Sequence, residues 1–318
     1  MDENIKQEII EIWKKILLDK DQKFSKIYRR ILLPSVDANI RVSIRQKDKI
    51  KSIDFVFKNI KIKKISFKNT KGISLEIEDY SVVSIYLNKE SFLNIYLNLI
   101  EEIINNIVNE NDENKIIKLI EDKLNSWKKC FENEDFLGLS KEEELGLIGE
   151  ILTINKLLDL KEYEIEEIIQ CWKGPENNLH DFKFTDKIYE TKTSLSNIIK
   201  ISNIDQLDHR TYQNLFLFKI TLTKNTNQSN ININNLVLDL RNKLKNTPSK
   251  ELFNNKINLY GYFDYHAENY KDFYNLFNIQ KYIIDQNFTS INKKDLKPGI
   301  QNINFEIDVS YCKKNMII

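Results

Sequence analysis

The sequence has few cysteines and no long apolar run, and both absences narrow the class of protein. The three cysteines in 318 residues, Cys130, Cys171 and Cys312, are far apart and odd in number. They therefore build neither a disulfide framework nor a zinc site. No run of eighteen apolar residues occurs, so no transmembrane helix is predicted. The first residues are charged and lack the apolar region of a signal peptide, so we expect a cytoplasmic protein.

Motifs of nucleotide-driven and zinc-dependent enzymes are absent as well. The sequence has no Walker A loop, no Gly-rich dinucleotide fingerprint, no H-E-x-x-H and no internal repeat. An ATPase engine, if the function needs one, must come from a partner. A chain of 318 residues with 41% hydrophobic content can bury at least one large core, and two domains are expected.

The net charge of +1 conceals an uneven distribution of charge along the chain. Residues 1–71 carry 19 Lys and Arg against 9 Asp and Glu, whereas residues 72–170 carry 9 against 23. A basic N-terminal segment can dock on phosphates, and the lysines between Lys58 and Lys71 are candidates for contacts to a phosphate backbone. The alternative is a solvated surface in a lysine-rich protein.

The spacing of the apolar residues changes along the chain and predicts its domains. Residues 3–18 have helical spacing, and an alternation of period two then runs from Ile40 to about Leu87. This alternation is typical of an antiparallel sheet with one solvated face. We therefore predict an N-terminal β-rich domain over residues 1–88, with DNA or a partner protein as its candidate docking partner.

Helical spacing returns after that sheet. Residues 90–109 and 113–131 predict helices, and they make residues 89–137 a helical connector. Residues 138–318 form the last predicted domain, in which helices and strands follow one another as in α/β cores. Its predicted elements are a helix from a Ser140–Glu143 capping box to about Leu158, strands at 181–185, 187–193 and 214–223, a polar linker at 224–234, a helix near 235–245, and short strands with a helix over 257–318.

An acid followed by an acid-x-lysine pair is the strongest chemical signal. Asp181 ends a polar turn, and Glu190 and Lys192 lie two residues apart, so they share one face of a strand. Asp181 and Glu190 offer oxygen ligands for Mg²⁺, and the backbone carbonyl of Thr191 is a further candidate ligand. Lys192 is placed to position the attacking water or to neutralise developing charge. The same spacing also arises by chance in a chain with 30% charged residues, so the residues around it must show whether it marks a functional site.

Glu150 adds weight to this interpretation. It lies on a predicted helix that is apolar nearly all round, and a buried carboxylate needs a partner such as a metal or Lys192. The alternative is that Glu150 emerges at the helix edge into solvent. Gly149 beside it is a poor helix former, which indicates a close backbone approach, with the sheet as its candidate neighbour.

Several short motifs occur in one order along roughly residues 138–208. They are Leu145-Gly-Leu-Ile-Gly-Glu-Ile-Leu152, Trp172-Lys-Gly-Pro175, His180-Asp-Phe182, Glu190-Thr-Lys192 and Asp205-Gln-Leu-Asp208. Together they resemble the PD-(D/E)XK motif proteins, a family within the restriction-endonuclease-like nuclease superfamily.

The resemblance implies an α/β fold and a set of site residues. The fold is a restriction-endonuclease-like core, a mixed four-stranded central sheet flanked by helices. Asp181, Glu190 and Lys192 are implied as the catalytic triplet, with Glu150 as an accessory acid. The implied setting is restriction or phage defence, beside other subunits such as a methyltransferase, an ATPase or a helicase.

The match also departs from the family pattern. His180 stands where the name-giving proline would be, a common change in the superfamily. Gln206 resembles a downstream glutamine that contacts DNA or the site in several such nucleases. Tyr212 is six residues beyond it, so the Q-x3-Y pairing of the RecB-like branch is absent, which argues against an exonuclease of that branch.

The leading hypothesis is a Mg²⁺-dependent DNA endonuclease, with Mn²⁺ as a substitute ion. Asp181 and Glu190 bind the metal, Lys192 activates or positions the attacking water, Glu150 assists, and Gln206 orients the substrate or Lys192. The first alternative is a non-catalytic nucleic-acid-binding or assembly subunit on the same fold. The second is a nuclease for RNA or modified DNA, and a homodimer stays open.

Overall fold

A computed structural model gives the fold of the chain in two compact units, residues 1–136 and 137–318. The predicted connector, residues 89–137, falls in the first unit except for its last residue. The residues that the structure describes are 2–18, 26–30, 39–45, 48–132, 138–176, 178–225, 231–245, 247–291, 296–300 and 303–318.

The first unit contains an antiparallel sheet. Its described strands are β1 (Lys26–Arg30), β2 (Asn39–Arg45), β3 (Ile50–Val56), β4 (Ile73–Glu78) and β5 (Val82–Leu87), in the spatial order β1-β2-β3-β5-β4. Each neighbouring pair is antiparallel, which confirms the pairing predicted from the alternation of apolar residues. The alternation predicts these strands correctly because one face of the sheet is buried, and the apolar residues Val42, Ile53 and Phe55 lie on that face.

The second face of this sheet is polar as predicted, but its centre is not solvated. Ser43 and Ser52 are buried, and both donate hydrogen bonds to Asp54, at 2.6 Å and 3.1 Å. Burial raises the pKa of Asp54. The prediction of a wet face was wrong here because a hydrogen-bonded polar cluster can be buried at modest cost, and alternation alone does not report this.

Helices complete the first unit. They are α1 (Asp2–Leu18), α2 (Leu93–Ile107), α3 (Glu113–Ser126) and the short α4 (Lys128–Glu132), which agree with the predicted helices at 3–18, 90–109 and 113–131 apart from a break at Trp127. Side chains of the first two helices bind the sheet directly. Trp13 donates to the Ser43 carbonyl at 3.1 Å, and the Tyr96 hydroxyl donates to the Ile85 carbonyl at 2.7 Å.

The second unit contains a mixed sheet. Its described elements are α5 (Lys141–Asp159), α6 (Ile165–Cys171), β6 (Phe182–Lys183), β7 (Ile188–Ser194), β8 (Ile198–Ile201), β9 (Leu215–Asn225), α7 (Ile233–Lys243), α8 (Ser249–Tyr260), β10 (Phe273–Ile283) and β11 (Phe305–Asp308). Four strands form one sheet in the order β10-β9-β7-β6. Strand β7 runs parallel to β9, and the other neighbours are antiparallel, so the predicted mixed α/β core is present.

The two faces of this sheet carry different layers. Phe218 and Ile220 of β9 share one apolar cluster with the helices α5 to α8. Leu215 and Leu217 point to the opposite face, where they pack against Ile199 of β8 and Ile307 of β11. Helices therefore cover one face, and the small β8–β11 pair covers the other.

Helix α5 begins where the sequence predicts and packs closely on β7. Ser140 accepts a hydrogen bond from the Glu143 amide, and the Glu143 carboxylate accepts one from the Ser140 amide, which confirms the capping box. Gly149 lies against β7, because a Cβ at that position would collide with Thr193 and touch Thr191. The close approach predicted from Gly149 is therefore present, and it brings the neighbouring Glu150 to the edge of the sheet.

Gly149→Ala is expected to destabilise the protein by about 1–3 kcal/mol, since overpacking of a close contact forces the helix or Thr193 to move. Thr193 is β-branched and gives way poorly. Urea unfolding measures the change. The control is Glu142→Ala on the exposed start of the same helix, for which a change within about 0.5 kcal/mol is expected. Equal stability of the two variants would contradict the packing argument.

Two predicted boundaries in the second unit were wrong. Strand β9 continues to Asn225 and α7 begins at Ile233, so the predicted linker at 224–234 is shorter at both ends, and 226–230 lie outside the described residues. The C-terminal region contains one long strand, β10, instead of short strands alone. Polar residues such as Asn275 and Asn278 interrupt its alternation because β10 lies at the edge of the sheet.

Candidate active site

Asp181 reaches the candidate site from a tight turn that precedes β6. The Asp181 carbonyl accepts hydrogen bonds from the amides of Lys173 and Gly174, at 2.6 Å and 3.1 Å. Its side-chain Oδ2 accepts from the Thr191 amide at 2.7 Å. Strand β6 is only two residues long, so the Thr191 amide has no strand partner on that side and binds the carboxylate instead.

Glu190 and Lys192 share the face of β7 that points away from α5. Glu190 is 1% exposed, and Lys192 Nζ lies 2.7 Å from Glu190 Oε1 in an ion pair. By its geometry that contact is an ion pair and not a hydrogen bond, and neither of the buried Glu190 oxygens has a well-aligned hydrogen-bond donor among the described residues. Unsatisfied buried acceptors are costly, which marks this carboxylate as a position for an additional ligand.

Glu150 approaches the same point from α5 and is buried, so the alternative that it emerges into solvent is wrong. Trp172 Nε1 donates to Glu150 Oε2 at 2.6 Å, and the Tyr260 hydroxyl also hydrogen-bonds this carboxylate. A Cβ on Gly174 would collide with Glu150 Oε2 and lie 3.2 Å from Asp181 Oδ1. The absent side chain of Gly174 is therefore what lets the two carboxylates approach each other.

Burial and mutual repulsion shift the protonation of these acids. Burial and the charge of Asp181 raise the pKa of Glu190 to about 8, and burial raises the pKa of Asp181 to about 6. Burial and then the charge of Asp181 raise the pKa of Glu150 well above its ordinary value. Burial opposes the charge of Lys192, but Glu190 and Asp181 outweigh it and raise the Lys192 pKa. Near neutral pH Glu190 therefore holds a proton, Asp181 is largely ionised, and the lysine stays cationic.

Gln206 lies beside Lys192, one of the two partners considered for it in the sequence. Lys192 Nζ donates to Gln206 Oε1 at 3.3 Å. The Gln206 backbone carbonyl lies 3.1 Å from His180 Nε2, and the His180 ring packs edge-on against Tyr212 at 4.6 Å between centroids. Because burial lowers the His180 pKa, this histidine is a neutral support for Gln206 and not a solvated loop residue.

A second lysine on the same face was missed in the sequence. Lys219 of β9 stands opposite Lys192 in the register, but its Nζ donates to Ser194 Oγ at 2.8 Å and to the Ile220 carbonyl at 3.0 Å. Burial lowers its pKa to about 8. Its contacts lie along the strand towards Ser194, so it stabilises the end of β7.

The donor set fits a magnesium ion better than a structural metal. Among the described residues, no group of three His, Cys, Asp or Glu side chains is arranged to hold a metal ion. Mg²⁺ needs fewer protein ligands, because it keeps several waters and binds one or two carboxylates with substrate phosphates. Asp181 Oδ1 and the unsatisfied oxygens of Glu190 supply that set. The Thr191 carbonyl points to the side of β7 on which Asp181 lies, since the N–H and C=O of a strand residue share one side.

The residues that hold Glu150 and the Trp172 turn in place are hard to recognise in the sequence. Tyr260 lies at the end of α8 and Lys256 one turn before it, far along the chain from Glu150. Lys256 is buried, pairs with Glu176 at 3.0 Å, and donates to the carbonyls of Gln170 and Trp172. Trp172 packs in the core, and it also donates to Glu150. Only its place in the Trp-x-Gly-Pro motif pointed to it.

A mixed sheet that brings an acid, an acid-x-lysine pair and a helix acid together defines a nuclease-like α/β unit. The chain belongs to the family described as "Putative PD-(D/E)XK family member, (DUF4420)", whose model matches residues 9–310. The match extends far beyond residues 138–208 and includes most of the first unit. No curated protein and no solved structure is significantly similar to the chain.

Proposed function

We propose that the protein is a Mg²⁺-dependent DNA endonuclease that acts in restriction or phage defence. The observation that carries the proposal is the convergence of Asp181, Glu190 and Lys192 on one edge of β7, with Glu150 beside them. Nucleases of the wider PD-(D/E)XK class generally use divalent metal ions, which supports the reaction class. Mn²⁺ is the expected substitute ion. Among the helices that the structure describes, none is long and apolar enough to cross a membrane.

In this proposal Asp181 and Glu190 hold the ion, with the Thr191 carbonyl as a further ligand. The bound ion would supply Lewis acidity at a phosphate oxygen and a water of lowered pKa. Lys192 stays protonated, so its part is to orient the attacking water and to stabilise negative charge on the phosphate, and it does not abstract a proton. Gln206 fixes the Lys192 ammonium, and Glu150, held by Trp172, shapes the acidic pocket from the helix side.

Cleavage of supercoiled plasmid with Mg²⁺ or with chelator tests the proposal. Wild type is expected to cut only with Mg²⁺, and Asp181→Ala and Lys192→Ala are expected to lose that activity. Circular dichroism shows whether each variant folds, and parallel reactions with single-stranded RNA and modified DNA identify the substrate class. Unchanged cleavage in both variants would sink the assignment. Salt-dependent binding without metal-dependent cutting would favour the non-catalytic subunit.

A further inference from the structure

The connection between β3 and β4 in the first unit has no regular secondary structure, yet it is fixed to the unit. Ile62 and Ile65 are buried, and the Ile62 amide donates to the Tyr80 carbonyl at 2.7 Å. The amides of Lys58 and Ser66 donate to carboxylates of α3, those of Glu113 and Glu121, at 3.0 Å and 3.1 Å. The connection is therefore anchored at several points along its length, so it presents its outer side chains on a fixed backbone.

Most of those outer side chains are lysines. We call residues 58–71 the basic segment; it contains six lysines and no acid, and all six are exposed: Lys58, Lys61, Lys63, Lys64, Lys68 and Lys71. Within the described part of the chain, none of the six lies in an ion pair. Glu113 and Glu121 of α3 accept hydrogen bonds from backbone amides of the segment. The positive charges of these lysines are therefore available to bind a polyanion.

An exposed tyrosine adjoins the basic segment. Tyr80 lies in the turn between β4 and β5, where Asp79 and Tyr80 have φ of 48° and 56°, and its side chain is 63% exposed. The left-handed region costs a residue with a Cβ about 1 kcal/mol or more, and Gly or Asn is the usual choice in such hairpin turns. A bulky ring retained in a strained and solvated position indicates a contact outside the chain.

We propose that the basic segment and Tyr80 form a binding surface for single-stranded nucleic acid. The lysines neutralise phosphates, and the Tyr80 ring stacks on an unpaired base, which is how sequence-tolerant single-strand surfaces are built. A duplex offers the phosphates but no free base face, so it engages the lysines alone. An acidic protein partner would also meet the lysines, but it has no use for the stacking ring. The inference rests on the proposed nuclease function only for the choice of nucleic acid as the ligand.

The first experiment measures binding of a fluorescent oligothymidylate to the full chain by anisotropy, in chelator and over a series of salt concentrations. Lys58, Lys61, Lys63 and Lys64 are changed together to Gln. The slope of log K against log salt is expected to fall by about 0.7 for each phosphate that the variant no longer neutralises, so by about 3 for the four. The control changes the exposed Lys14, Lys15, Lys313 and Lys314 to Gln, with the same loss of charge. An equal decrease of the slope in both variants would overturn the surface.

The second experiment isolates the ring. Tyr80→Gly suits the backbone conformation, so the unfolding midpoint should not fall, while single-strand binding weakens about tenfold and duplex binding is unchanged. Tyr80→Phe keeps the stacking face and should bind like wild type. Wild-type single-strand binding by Tyr80→Gly would overturn the stacking role. Because binding is read without Mg²⁺, intact binding with no cleavage would refute the proposed chemistry and leave this surface standing.

Discussion

Lys192→Met is expected to lower the rate of Mg²⁺-dependent cleavage by about 10²–10³, the loss typical of one preorganised charge or donor aimed at the reacting group. Methionine keeps the length and apolar stem of lysine but removes the ammonium that lies 2.7 Å from Glu190 Oε1. Without that cation the buried acids hold their protons more tightly, which lets the variant fold. Single-turnover cleavage of a plasmid under saturating enzyme measures the chemical step.

Two further variants separate charge from geometry at this position. Lys192→Arg keeps a cation, and its activity is expected to lie between those of wild type and Lys192→Met, because a planar guanidinium cannot reproduce the ammonium's contacts with Glu190 and Gln206. Lys200→Met on β8 removes an exposed lysine of the same unit and should cleave like wild type. A rate for Lys192→Met within about threefold of wild type would remove Lys192 from the mechanism.

The order of effects also decides between two roles for Lys192. A general base must be neutral when it acts, and the raised pKa of Lys192 keeps it charged in the absence of metal. Charge stabilisation predicts the order wild type, arginine, methionine. A general base predicts that arginine is as inactive as methionine, because a guanidinium does not lose its proton.

The sequence could locate the candidate site because its core is local in the chain. Glu190 and Lys192 are two residues apart on one strand, so their shared face follows from backbone geometry alone. Asp181 precedes the adjoining strand, and the turn between β6 and β7 leaves little freedom for their pairing. The capping box of α5 was readable for the same reason, since its two hydrogen bonds join residues three apart.

The supports of the site could not be predicted because they depend on packing between distant segments. In the sequence Lys256 looks like an ordinary solvent-exposed helix lysine. In the structure it is buried and donates hydrogen bonds to backbone carbonyls at the C-terminal end of α6. Tyr260 reaches Glu150 only because α8 packs beside α5 and the Trp172 turn. The same limit applies to the first unit, where Ser43, Ser52 and Asp54 alternate like a wet face but are buried together.

The metal-free site stores an electrostatic cost that depends on pH. The pKa of Glu190 rises from 4.5 to about 8, and that of Asp181 from 3.8 to about 6. A carboxyl whose pKa is raised by folding binds more protons in the folded state, so its contribution to stability is present below its unfolded pKa and is lost as pH rises through the folded value. The free energy of unfolding therefore contains a term that falls between about pH 4.5 and pH 8.

Glu190→Gln isolates that term, because glutamine has the same shape and cannot ionise. In chelator the variant is expected to match wild type near pH 5 and to exceed it by about 2–4 kcal/mol near pH 8.5, since one pKa unit corresponds to about 1.4 kcal/mol. The difference between the two proteins also cancels the opposing contribution of the buried His180 and His266, whose pKa values are lowered. Urea unfolding at the two pH values measures it.

Glu162→Gln is the matched control, because it is the same substitution at a glutamate whose surroundings lower its pKa instead of raising it. Glu162 accepts from Lys187 and Tyr189 and pairs with the buried Lys281, and these contacts lower its pKa to about 2 against the opposing effect of burial. Between pH 5 and pH 8.5 Glu162 is ionised in the folded state and mostly ionised in the unfolded state, so its replacement should destabilise the protein to nearly the same extent at both pH values. Near pH 8.5, Mg²⁺ at one hundred times its Kd for wild type should stabilise wild type by about 2.7 kcal/mol. The same concentration of Mg²⁺ should leave the stability of Glu190→Gln unchanged. A wild type that stays as stable as Glu190→Gln at pH 8.5 in chelator would show that no charge is buried at Glu190.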